Sequence, residues 1–396
     1  MRVRPPIPTA SFSYVSPMGS IQAPQAPAIA TNSRMIKCAP GPWGDIEYHF
    51  MYLEASEHMV SSIKIPTTTP RWSFPGATVQ QLAAFFDSAR VPEAWSQIWL
   101  SPPCLIQQDG VLHILPPIEH LEGLMPEQRA FIYLELSKSD LNEFHRDPVT
   151  IVSGSMEDFL CGTDIAPEHV RWMARMAYRR GGVLCFSDFQ ALMSRARSDA
   201  EAMRLFKACS RTRGIFARLK VTAQSDFKAL AHYWSAGGRS KDITHMFQSL
   251  AENQPPGGLD LIHLLPPLAR RLLNSYPSLD LAIHGRMPDC HWSSLNFFNS
   301  EPRGYFLNTG LAAKHVLENF DRVETPYQFG HVLFFLDEAA GNAYHSCVYL
   351  ADDLVFTKNG GNTVKPWTIK LLSDVKQIYL TPVTPGRVQG FRWRTP

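Results

Sequence analysis

The chain predicts an α+β protein on three observations. Two-residue apolar alternation occurs near both ends, capped stretches with helical spacing fill the middle, and the last third places helices ahead of a run of strands. The 396 residues, 45% hydrophobic and 19% charged, have the composition of an ordinary globular protein long enough for two or three domains. The expected organisation is a tail or linker at 1–40, a small α+β module at 41–150, a mostly helical region at 151–275, and a C-terminal domain of helix plus antiparallel sheet at 276–396.

The elements follow in order. Residues 1–40 are rich in Pro, Ala and Ser and lack periodicity, as expected of a mobile tail or linker. Their basic start has no apolar stretch behind it of the kind an export signal carries. Ile46, Tyr48, Phe50 and Tyr52 alternate with Glu47, His49 and Met51, which predicts a strand with one apolar face. Thr78 with Gln81 forms a capping-box pattern ahead of a helix at 79–89. Asp109-Gly110 between 104–108 and 111–115 predicts a tight hairpin, and 126–137 reads as a helix. Pro167 stands at a first helical position before 168–179. Ser187 and Ser198 are placed to cap helices at 188–197 and 199–209. Further helices are expected at 226–234, 242–253 and 267–275, with one short strand near 219–221. Gly237-Gly238 and Pro255-Pro256-Gly257-Gly258 break the run. Beyond 279, helices at 290–299 and 311–320 precede strands at 332–336, 344–350, 354–358 and 375–380.

Composition removes several function classes. The net charge is +2 and no Lys/Arg run forms a basic stripe, so nucleic acid is not an expected partner. No apolar run approaches the roughly 18 residues of a membrane span. The seven cysteines are scattered without a CxxC pair, which fits neither a disulfide framework nor a zinc ribbon. No cofactor or metal is expected. A zinc site built from Cys290, His331, His345 and Cys347 matches no common ligand spacing, and a Cys290–Cys347 disulfide would silence the thiol. Nothing sets the oligomeric state.

The chemistry concentrates near the C-terminus. Cys290 stands at a predicted helix start, where the helix dipole and free N–H groups favour a thiolate and can hold an oxyanion. Pro288 keeps the chain extended ahead of the helix, and Asp289 is placed to cap it. The general base is expected to be His345, on a predicted strand face shared with Cys347 and Tyr349. His331, which opens the preceding strand, is the second choice. His291 leaves the helix about 100° away from Cys290 and points elsewhere. A third polar group should orient the imidazole. Thr357 and Asn359, on one face of the next strand, are both candidates.

These residues carry a family resemblance. Asp289-Cys290, followed by Ser293, Leu295 and Phe297-Phe298, resembles the Asp-Cys-Ser-Gly helix start of NlpC-type papain-like cysteine peptidases. The strand opened by Gly330-His331-Val332 and the strand opened by His345-Ser346-Cys347 resemble two strands of that family, in the same order. The resemblance covers roughly 275–385. It implies a papain-like domain and a thiol hydrolase cleaving a peptide or amide bond, with peptidoglycan peptides among the substrates; a cell-wall role would demand export. The chain departs from the pattern at His291-Trp292, which replaces Ser-Gly, at His331, where the family usually has Asp, and at Thr357, where it often has His. Those departures keep a second expectation open: a binding or scaffold protein that retains the fold without turnover.

Overall fold

A computed structural model describes residues 35–62, 69–152, 154–238, 241–253, 258–339, 341–381 and 384–394. The tail expected at 1–40 lies outside them up to residue 34. The last part of that stretch is not linker: Ile36–Lys37 pairs with the strand Asp45–Leu53, Ile36 opposite Tyr48. Among the described residues, no helix is long and apolar enough to cross a membrane.

The protein is α+β. Helices are interspersed with antiparallel sheets, among them a six-stranded sheet in the order Phe320–Val323, Gly386–Trp393, Val332–Asp337, Ala343–Ala351, Leu354–Lys358 and Trp367–Leu371. A four-stranded sheet joins Ile36–Lys37, Asp45–Leu53, Thr212–Lys220 and Leu259–Asp260. The local signals explain many elements. Thr78 caps Val79–Ser88 through Gln81 in both directions of the capping box. Ser198 Oγ accepts from Glu201 N at the start of Asp199–Cys209. Asp109 and Gly110 both take positive φ, +52° and +75°, as a two-residue hairpin turn requires.

Two expectations are revised. Helix outweighs strand in 151–275, but the region carries more than the one short strand expected near 219–221. It holds the strands Tyr178–Arg180 and Val183–Phe186 and a nine-residue strand, Thr212–Lys220. That last strand pairs along its length with Asp45–Leu53, so the ladder crosses the boundary drawn near 150. The alternation is in the sequence, with Ile215, Ala217 and Leu219 buried and Phe216 and Arg218 between them only half-buried. Second, 375–380 is not a strand. Leu372–Tyr379 is a helix whose buried Leu372 and Val375 stand three apart, and Asp353 anchors its start by accepting from Ser373 N at 3.0 Å. Its place in the sheet is taken by Trp367–Leu371 and Gly386–Trp393.

The six-stranded sheet is covered on both faces. One face carries Val332, Phe334, Val348, Leu350, Phe356 and Ile369, packed with Trp292 and Leu295 of the Cys290 helix. The same core continues through Trp234 and Phe247 to Ile46 and Leu219 of the four-stranded sheet. The opposite face carries Leu333, Phe335, Cys347, Tyr349 and Val355 against Leu372 and Val375. Each fully buried large apolar side chain contributes about 1.5–3 kcal/mol, so this double coverage fixes the sheet's register as well as its stability. Residues from Trp72 to Cys209 form a separate core. Gly330 permits a close approach where the Val332 strand begins. It holds φ +87°, and a Cβ there would lie 2.3 Å from the Phe298 ring.

Candidate active site

Cys290 is the first residue of a short helix, Cys290–Leu295. The extended Asp289 caps it, its Oδ1 accepting from Trp292 N at 2.8 Å. The helix is pinned to the sheet by polar contacts on its inner side. Trp367 Nε1 donates to Ser293 Oγ at 2.8 Å, and Ser346 Oγ donates to Ser294 Oγ at 3.1 Å. His291 Nδ1 lies 3.0 Å from Ser346 Oγ, and its ring stacks on Phe334.

Burial decides the state of the sulfur. Cys290 is 5% exposed, and burial, helped by the adjacent Asp289 carboxylate, pushes its thiol up to about 12. The backbone N–H groups of Ser346, His291 and Cys290 itself oppose that rise. The thiolate expected from the helix start is therefore not the resting form. Desolvation disfavours the anion more than the N–H groups of the helix start and of Ser346 favour it. Cys290 and Cys347 are both free thiols.

His345 lies on the strand Ala343–Ala351 and is fully buried. Strand alternation sends Ser346 to the face of the Cys290 helix and His345 to the face of Leu372–Tyr379. The His345 ring lies flat on Tyr379, centroids 3.9 Å apart and planes at 11°, with Phe335 edge-on at 5.4 Å. Its Nε2 is 3.1 Å from Thr357 Oγ1, while its Nδ1 has no hydrogen-bond partner among the described residues. The thiol and the imidazole are thus not directly bonded. Burial, with His291 and Lys370 nearby, holds the His345 pKa well below its ordinary value, so the ring is neutral. The ladder between Ala343–Ala351 and Leu354–Lys358 runs only from Val348 onward, so His345, Ser346 and Cys347 are unpaired on that side. The Ser346 N–H directed at Cys290 belongs to this stretch.

The remaining candidates separate. Thr357 is the one bonded to His345. Asn359 lies beyond the end of the strand, its Oδ1 buried without a partner, and lines a cavity. His331 is committed to its turn, Nδ1 accepting from Gln328 N at 3.2 Å, and burial lowers its pKa to about 4. Among the described residues no group of three or more His, Cys, Asp or Glu could hold a metal ion.

Two neighbours were not singled out by sequence. Lys358 is fully buried on the face of the Cys290 helix. Its Nζ donates to the carbonyls of Gly360 and Asn362 at 2.7 and 3.0 Å, and burial lowers its pKa to about 8, an effect opposed by Cys290 and Asp289. Tyr379 supplies the platform under His345, and its hydroxyl is raised well above its ordinary value by burial, with Cys290 and Asp147 contributing. A lysine in a strand and a tyrosine in a segment read as strand carry no signal of their own. Comparison of the chain with protein-family models, curated proteins and solved structures finds no match.

Proposed function

We propose that the protein is a thiol hydrolase of the papain-like, NlpC type, cleaving a peptide or amide bond with Cys290 as nucleophile and His345 as base. The observation that carries the reading is the buried His345 imidazole. Thr357 engages Nε2, and Nδ1 is left without a partner among the described residues. The same short unpaired stretch of strand directs the Ser346 N–H at the Cys290 sulfur. The reading takes Thr357 Oγ1 as the acceptor from Nε2–H, the tautomer of the neutral ring that leaves Nδ1 basic.

At rest His345 lies on the sheet face opposite the Cys290 helix, so in this mechanism substrate binding must first shift the unpaired stretch 345–347; the thiol proton then passes to His345 as the sulfur attacks the carbonyl carbon. The N–H groups of Cys290 and His291 face the developing oxyanion. The protonated imidazole then gives its proton to the leaving amine as the C–N bond breaks. Water, deprotonated by His345, releases the acyl group from sulfur and restores the thiol. Both groups are neutral at rest, so the barrier includes forming the ion pair in a dry site, which the bound substrate must offset.

That same neutrality supports a second reading, a scaffold that binds without turnover. Turnover separates the two. The resting thiol is buried and protonated, so slow iodoacetamide labelling of Cys290 is expected on either reading; cleavage of peptide or amide substrates that is lost in both Cys290→Ala and His345→Ala supports the hydrolase. No turnover of peptide or amide substrates supports the scaffold.

A further inference from the structure

The platform under His345 is also the wall of a cavity. Tyr379 and Asn359 line a space of about 450 Å³ between the C-terminal sheet and the segments 146–152, 180–185 and 209–213. Six cationic side chains line it, Arg146, Arg180, Arg211, Arg213, Lys365 and Lys370, against two carboxylates, Asp147 and Asp374. Three of the cations are already paired, Arg213 with Asp374 at 2.6 Å, Arg211 with Glu54 at 3.2 Å and Arg146 with Asp140, which leaves Arg180, Lys365 and Lys370 without an ion pair among the described residues. The whole chain carries a net charge of only +2, so this concentration is local. Four of the six cations come from residues before 214, outside the stretch that resembles the peptidase family.

Three features mark the space as more than a gap. Two lining polar atoms, Asn359 Oδ1 and the Tyr344 hydroxyl, are buried without hydrogen-bond partners. The Lys365 side chain makes no ion pair or hydrogen bond with the described residues, and Lys370 Nζ spends one donor, on the Arg213 carbonyl. The loop that carries Asn359 is held in place by Lys358 Nζ bonding the carbonyls of Gly360 and Asn362. Unused donors and an excess of cations in a partly desolvated space suit carboxylates.

We infer that this cavity holds the carboxylates of an acidic peptide, and that the part of the chain before residue 214 supplies most of the specificity-determining cations for the site containing His345. The assignment of reaction rests on the hydrolase reading; the assignment of ligand does not. The lysine and arginine donors match carboxylate oxygens, and Asn359 and Tyr344 face the ligand's amide groups.

The test is calorimetric titration of the full chain carrying Cys290→Ala with an alanine-flanked diglutamate peptide and its diglutamine counterpart. The diglutamate peptide is expected to bind ~10-fold or more tightly than the diglutamine peptide at about 50 mM salt, with the difference shrinking at about 500 mM. Lys365→Gln and Arg146→Gln should each reduce that preference several-fold. Arg146 is largely exposed and pairs with Asp140, and Lys365 has no ion-pair partner among the described residues, so both variants are expected to fold. Equal affinity for the two peptides, no binding of either, or preferential binding of inorganic phosphate or a nucleotide overturns the inference. No turnover enters this measurement, so failure of the hydrolase reading shows instead in peptide cleavage by the unmodified protein.

Discussion

Replacing Thr357 with valine tests the site most directly. Thr357 and His345 are both fully buried, and Oγ1 to Nε2 is 3.1 Å. Valine keeps the shape and removes the hydroxyl, leaving a second ring nitrogen without a partner beside Nδ1. An orphaned buried polar group costs about 1–3 kcal/mol. Urea denaturation should therefore show the variant less stable by about that amount. The catalytic cost is separate. Without Thr357 the ring is free to take the other tautomer, with Nδ1 protonated and unable to accept the thiol proton. On the proposed hydrolase reading, peptide cleavage per folded molecule should fall ~10–100-fold, an energetic loss of about 1.4–2.7 kcal/mol, with the loss in kcat rather than KM. Thr357→Ser keeps the hydroxyl and should recover most of the rate while losing only a methyl group's packing. Equal cleavage rates for the valine and serine variants would refute the assigned role of Thr357. Valine losing stability but not activity would leave Thr357 a purely structural partner.

Three further outcomes follow from the same structure. Asp289→Asn keeps a capping side chain but removes the carboxylate that raises the Cys290 thiol, so the pH profile of Cys290 alkylation should move to lower pH; an unmoved profile contradicts the electrostatic account. His145 is buried neutral with its pKa lowered to about 3, so the unfolded chain binds a proton at higher pH than the fold. Stability is complete above about pH 6.5 and is lost as pH falls toward 3, by about 2 kcal/mol near pH 5 from this group alone; a urea midpoint unchanged between pH 7 and 5 would count against it. Arg129 and Asp188 form a buried pair at 3.6 Å, 0% and 3% exposed. Arg129→Met leaves Asp188 without its cation and should cost about 3–5 kcal/mol by denaturation, with a loss below 1 kcal/mol excluding a structural role for the pair.

Local chemistry made part of this legible in advance. The caps at Thr78, Ser198 and Asp289, the Asp109-Gly110 turn and the strands around His345 and Thr357 are set by contacts within a few residues, so their signals survive in the sequence. The sequence predicts only a fragment of Thr212–Lys220, because the strand's extent depends on a partner strand more than 150 residues earlier. It predicts a strand within Leu372–Tyr379 because Val375, Ile378 and Tyr379 suit either a strand or a helix. Asp353, brought close only by the fold, holds the Ser373 end in helix.

The amino-acid order alone determined the class, α+β, and placed a cysteine at a helix start ahead of strand-borne histidine and threonine. It could not determine the state of the thiol. A helix start acidifies sulfur in water, but folding buries Cys290 beside Asp289, and desolvation reverses that preference. Tertiary packing also chose Thr357 over Asn359, laid Tyr379 beneath His345, and brought arginines from the part of the chain before residue 214 to the same cavity. Those outcomes depend on which surfaces exclude water and which distant segments meet, and neither is written in the spacing of neighbouring residues.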